Sequence, residues 1–138
     1  MPIMSSATPR PTYSIDTVGL VLHLEKRRLG AEAQAILQQA ETNQATIFVP
    51  TIVLAEILYL SDKKRIGLTF EQLLDYLDAQ TGFVELPLDQ LVLRAAHEIK
   101  DIPELHDRLI AATARLKAHP LITYDSSIQS SKFVTTVW

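Results

Sequence analysis

Short runs of β-branched and aromatic residues, each stopped by a proline or an aspartate, alternate along this chain with longer stretches that read as helix. Parallel strands need crossovers of about a dozen residues, whereas antiparallel hairpins need only about two, so this alternation implies a largely parallel sheet covered by helices on both faces. The strand candidates are Tyr13-Ser14-Ile15, ending at Asp16; Thr46 to Val49, stopped by Pro50; Phe83 to Leu86, closed by Pro87; Leu121-Ile122-Thr123, ending at Asp125; and Phe133 to Val137. The expected fold is α/β, a three-layer α/β/α sandwich with a mainly parallel central sheet of four to five strands.

Helices are expected over Thr17 to Leu24, Ala31 to Thr42, Thr51 to about Lys64, from Thr69 onward, Asp89 to Lys100 and Asp107 to Lys117. Thr51 and Asp89 are read as N-caps, and Thr69 with Gln72 fits a capping box. With 138 residues and 47% hydrophobic content, the chain can bury a core of its own, and nothing resembling a repeat or a linker divides it. The reading is a loose tail over residues 1–11 and a single domain over 12–138. The absence of cysteine removes disulfides, thiolate metal sites and a cysteine nucleophile. The longest apolar run, Ile52 to Leu60, is broken by Glu56 and too short for a membrane span, and the start lacks a secretory h-region, so a cytoplasmic protein is expected. A net charge of -3 offers no global attraction to nucleic acid. Such binding would need a local basic patch, or cations that invert the sign of an acidic cleft.

In a parallel α/β sheet, ligands gather beyond the carboxyl ends of the strands. Asp16 and Asp125 stand at two such ends, although an aspartate there is commonly just a turn residue or a helix cap. Glu56 is the sole polar residue in its apolar run, so its carboxylate calls for a metal or for a buried Arg or Lys partner. Asp107 opens a helix whose interior, Ile110 to Ala114, is unusually small, and capping is its ordinary reading. Taken together, the four acids can converge at one sheet edge. Like charges about 4 Å apart repel by about 4 kcal/mol at an effective dielectric of 20, so the cluster demands a cation. Oxygen donors without thiolate suit Mg²⁺ or Mn²⁺.

Tyr13-Ser14-Ile15-Asp16-Thr17, Glu56 within Leu54-Ala55-Glu56-Ile57, His106-Asp107 through Ala114, and Leu121-Ile122-Thr123-Tyr124-Asp125 resemble the four acidic motifs of PIN-domain nucleases, in family order. Within that family the chain is most similar to VapC-type toxins of type II toxin–antitoxin systems. The resemblance implies an endoribonuclease dependent on Mg²⁺ or Mn²⁺, with Asp16, Glu56, Asp107 and Asp125 as catalytic and metal-binding residues and Thr17 and Thr123 as supporting hydroxyls. It also implies an RNA substrate, transfer RNA being one candidate, a homodimer, and a VapB-like antitoxin whose C-terminal segment occludes the cleft. Val18 stands where the family often has Ser or Asn, and Ser126 and Ser127 where many members carry a further acid or amide, so the resemblance carries a first metal site rather than a second. The alternative is a catalytically weak or inactive PIN-fold module that binds RNA or a partner without cutting.

Other signals carry less. His23, His97 and His119 show no obvious partners in the sequence, while His106 adjoins Asp107. Lys26-Arg27-Arg28 and Lys63-Lys64-Arg65 could grip phosphates, but cations also suit helix C-termini, which is the preferred reading. Leu58, Tyr59, Leu73, Leu74 and Leu77 could form a protein interface or simply pack in the core. There is no Gly-x-Ser-x-Gly turn, and the four glycines are too scattered to cradle phosphate.

Overall fold

The computed structural model describes residues 9–138. Along them run β1 (Thr12–Ile15), α1 (Thr17–Leu24), α2 (Ala31–Glu41), β2 (Thr46–Pro50), α3 (Thr51–Asp62), α4 (Phe70–Ala79), β3 (Phe83–Leu86), α5 (Gln90–Glu98), α6 (Leu105–Lys117), β4 (Leu121–Ile122), α7 (Ser126–Gln129) and β5 (Thr136–Val137). The strands form one sheet in the order β3-β2-β1-β4-β5, and every neighbouring pair is parallel. The chain builds outward from β1 to β3, then crosses back to β4 on the other side of β1. Right-handed crossovers with that reversal put α1 to α4 on one face and the later helices on the other, which makes the expected three layers.

Burial follows the sheet. Ile15, Ile47, Val49, Leu121 and Ile122 are fully buried, each contributing roughly 1.5–3 kcal/mol by leaving water. In α6 the consecutive residues Leu109 to Ala114 are all buried, an apolar belt on every side. Alanines there let this helix touch α5, α3, α7 and β1 at once.

The capping box holds, with the Thr69 hydroxyl accepting from the Gln72 N–H and the Gln72 carboxamide accepting from the Thr69 N–H. Asp89 caps α5 as expected. Two helix starts differ from the reading. Pro50 occupies the N-cap of α3, and Thr51, its first helical residue, donates its hydroxyl across to Glu85 and the Leu86 carbonyl instead. Helix α6 begins two residues before Asp107, capped by Glu104, because Pro103 ends the preceding loop early. β5 is shorter than expected and α7, four residues long, was too brief to show a period.

The basic triplets lie at helix C-termini. Lys26 and Lys64 have φ near +55°, and Asn43 and Ala118 share this left-handed geometry. The N–H of each donates to the carbonyl three residues earlier, as in Lys64 to Ser61, and the next N–H reaches five residues back, as in Arg65 to Leu60. Two histidines are partnered after all. His23 hydrogen-bonds the Tyr76 hydroxyl and Glu41 and stacks on Phe83, while His119 hydrogen-bonds Ser14 and stacks on Phe48.

The Trp138 carbonyl accepts from the Ala33 N–H and so caps α2. Gly30 makes this possible, since a Cβ there would fall 2.2 Å from that carbonyl oxygen. Residues 1–8 of the expected tail lie outside the described residues; residues 9–11 are exposed, with the Pro11 carbonyl already accepting from Thr46. No helix among the described residues is long and apolar enough to cross a membrane.

Candidate functional site

β1 and β4 are neighbours in the sheet but feed crossovers in opposite directions, which opens a crevice at their carboxyl ends. Asp16 is the single residue between β1 and α1. Its Oδ1 accepts from the Gly19 N–H at 2.8 Å, capping the helix, and its Oδ2 accepts from the Thr123 hydroxyl at 2.5 Å. A Cβ on residue 19 would lie 3.0 Å from that Oδ1 and 3.2 Å from Ile15, so glycine keeps the carboxylate close to the helix end. Thr123 in turn accepts from the Asp125 N–H at 3.1 Å, and Asp125 Oδ1 caps α7 through the Ile128 N–H at 3.0 Å. The capping and the functional readings of these two aspartates therefore coexist, because a carboxylate has two oxygens and a cap uses one.

Glu56 projects from α3 into the same crevice. The Thr17 hydroxyl donates to its Oε1, and His106 Nδ1 lies 3.7 Å from its Oε2. His106 Nδ1 also lies 3.3 Å from Glu104, whose carboxylate accepts from the backbone N–H groups of Asp107 and His106. Asp107 is thereby relieved of capping, and its side chain faces the crevice. Asp16, Glu56, Asp107 and Asp125 all line one cavity of about 720 Å³, with Val18, Ile52, Tyr59 and Ile110 among its apolar walls. Among the described residues, no lysine or arginine pairs with any of the four acids, so the buried cation considered for Glu56 is absent and its neighbour is an imidazole.

The electrostatic cost is visible in the titration of two members. Burial raises Asp16 to about 6, opposed by its bonds from Thr123 and Gly19 and reinforced by the charges of Asp125 and Glu56. Burial also raises Asp107 to about 6, with Asp125, Glu104, Glu56 and Asp16 all adding repulsion. Glu104 goes the other way: burial works against its ionised form, but the two backbone N–H donors hold it below the usual carboxylate range.

Among the described residues, no three of these side chains converge tightly enough to form a closed ligand set. The donors are all oxygen, unpaired by cations and spaced around open volume. That arrangement fits Mg²⁺ or Mn²⁺, since Mg²⁺ usually keeps several waters and takes one or two carboxylates. Sequence reasoning singled out all six of these acids and hydroxyls, but missed Glu104 as a cap and Tyr124 as part of the cleft. An acid directly after Pro103 and three residues before Asp107 was the available signal for the first.

The model of the PIN domain family matches residues 13–133 of this chain. No curated protein matches it. Among solved structures, the fold resembles VapBC2 from Rickettsia felis bound to a promoter DNA fragment, with 20% identity, a TM-score of 0.73, and 92% of this chain and 98% of that one covered. It also resembles DNA-bound VapBC from Salmonella typhimurium, at 15% identity, TM-score 0.68, and coverage of 92% and 97%. A toxin–antitoxin complex from Klebsiella pneumoniae aligns at 22% identity, TM-score 0.62, covering 90% of this chain and 96% of that one. These likenesses speak for the fold; with a family match running from the first strand almost to the last, the chain belongs to the PIN domain family.

Proposed function

We propose that the protein is a VapC-type toxin: an endoribonuclease, dependent on Mg²⁺ or Mn²⁺, that hydrolyses RNA phosphodiester bonds in the cytoplasm and is neutralised by a VapB-like antitoxin. One observation carries the reading. Four carboxylates from four separate segments of the chain line a single cavity, and among the described residues no lysine or arginine pairs with them. Such a cluster is costly for stability alone, and it suits a site that recruits divalent cations.

A divalent ion held by Asp16, Glu56, Asp107 and Asp125 would supply the charge that admits a polyanion, acidify water and offset charge developing on the phosphate. The chain's own groups do the rest. Thr123 and Gly19 fix both oxygens of Asp16, and Thr17 orients Glu56, so the donors are set before substrate arrives. Asp107, half-buried and with a proton affinity raised toward neutrality, is suited to take a proton from the attacking water. Asp125 is the other acid able to orient that water. Attack by external water leaves 5′-phosphate and 3′-hydroxyl ends.

The antitoxin reading is supported by neighbours described as VapBC or toxin–antitoxin complexes, of which this chain spans nearly the whole length of the matched component. The apolar walls of the cleft suit a partner's apolar side chains. A homodimer completes the proposal. The test is cleavage of labelled RNA, including transfer RNA, by the purified protein. Mg²⁺- or Mn²⁺-dependent cutting with 5′-phosphate ends is expected. Cleavage that persists in excess EDTA, or 2′,3′-cyclic ends, would refute the mechanism.

A further inference from the structure

Two exposed tyrosines line the cavity of the acidic cluster, and neither is used by the mechanism above. Tyr59 is 52% exposed and lies one helical turn beyond Glu56, on the same side of α3. Tyr124 is 67% exposed and sits between Thr123, which holds Asp16, and Asp125. Both line the cavity that contains the four carboxylates. Large aromatic faces left in water beside a site need a reason, because burying them would be favourable.

Each ring is also backed. Lys63 Nζ and the Arg65 guanidinium lie 5.7 Å and 5.9 Å from the centre of the Tyr59 ring, so an aromatic face and two cations stand together at one lip. The Tyr124 ring is braced by the indole of Trp138, 5.4 Å away. That indole belongs to the residue whose carbonyl caps α2, so the brace is anchored to the fold. An aromatic face with adjacent cations is the chemistry that recognises an unpaired base together with its phosphate.

Resting on the nuclease reading, we infer that Tyr59 and Tyr124 are stacking platforms for unpaired RNA bases next to the phosphate held at the acids. A paired duplex keeps its bases stacked on one another and offers these rings nothing. Lys63 and Arg65 complement the backbone phosphates on the Tyr59 side. Selection of unpaired strands then comes from the two rings, and chemistry from the acids beside them.

The experiment measures binding with Ca²⁺ in place of the catalytic ion, using a single-stranded RNA of about ten nucleotides carrying 2-aminopurine beside the central phosphate, and a hairpin in which the same sequence is fully paired. Stacking quenches 2-aminopurine fluorescence. Quenching by the wild type is expected, with the single strand bound at least tenfold more tightly than the hairpin. Tyr59→Leu and Tyr124→Leu should each weaken single-strand binding about tenfold and abolish quenching on their side, while Tyr59→Phe and Tyr124→Phe retain both. Because both side chains are exposed, the leucine variants should keep the wild-type circular dichroism. Equal binding of strand and hairpin, or leucine variants that bind and quench like the wild type, would overturn the stacking role while leaving the nuclease reading intact. Failure of the wild type to bind either RNA, together with no cleavage of any RNA in Mg²⁺ or Mn²⁺, would overturn both.

Discussion

Asp16→Asn should stabilise the metal-free protein while destroying its activity. In the fold, burial raises the Asp16 carboxyl from 3.8 to about 6, a rise equivalent to about 3 kcal/mol of differential stability. The sign follows from proton binding. Between those two values the folded state holds a proton that the unfolded state has released, so folding is favoured at low pH, and that contribution is lost as pH rises through about 6. Asparagine carries no charge to desolvate and is nearly the same shape. Its oxygen can still accept from the Gly19 N–H, but its NH₂ faces the Thr123 hydroxyl, which must turn to accept, so part of the gain is forfeited. The expected difference between variant and wild type is near zero at pH 4 and about 1–3 kcal/mol in favour of the variant at pH 8. His23 and His119, whose burial lowers their proton affinity, tilt both curves oppositely and cancel in the difference. Urea unfolding in EDTA across this range measures it, alongside loss of Mg²⁺-dependent cleavage. A difference that does not change with pH, or a variant less stable at pH 8, would refute the account of Asp16.

Mg²⁺ or Mn²⁺ at about 100 times its dissociation constant should stabilise the wild type by about 2.7 kcal/mol, and Glu56→Gln or Asp107→Asn should reduce the shift; melting temperatures indifferent to both ions would count against the metal site. Lys64→Gly should stabilise by roughly 1 kcal/mol, since residue 64 has φ of 55° and lysine is strained there; a lower urea midpoint would refute that assignment. Gly30→Ala should cost about 2 kcal/mol or more, because its methyl would meet the Trp138 carbonyl at 2.2 Å. Unchanged stability would mean that Trp138 does not dock there.

The structure brings the acid quartet to one cleft, but individual roles were less legible than membership. Asp107 looked like a cap because it opens the small-residue run, yet Glu104 takes that duty. Which of two nearby acids caps a helix depends on where the backbone turns, and Pro103 moved that point upstream. Thr51 looked like a cap for the same reason, although a residue of β3, distant in the chain, claims its hydroxyl. His23 and His119 seemed unpartnered because their partners, Tyr76 and Ser14, are 53 and 105 positions away. Of the leucines considered for an interface, Leu73 is fully buried whereas Leu58 and Leu74 are exposed, a split that helical period alone did not reveal.

Properties set by neighbours along the chain were readable without coordinates: strand and helix spacing, the Thr69–Gln72 box, and the solitary acid in an apolar helix. Each depends on contacts within a few residues, where geometry follows directly from residue type. The order of strands, the cavity beyond the carboxyl ends of β1 and β4, and the want of a lysine or arginine beside Glu56 among the described residues depend instead on elements meeting across the fold. Charge cost is of this second kind, since it is determined by burial and by distances to other charges. Only in the folded molecule does Asp16 become an acid whose proton affinity rises toward neutrality.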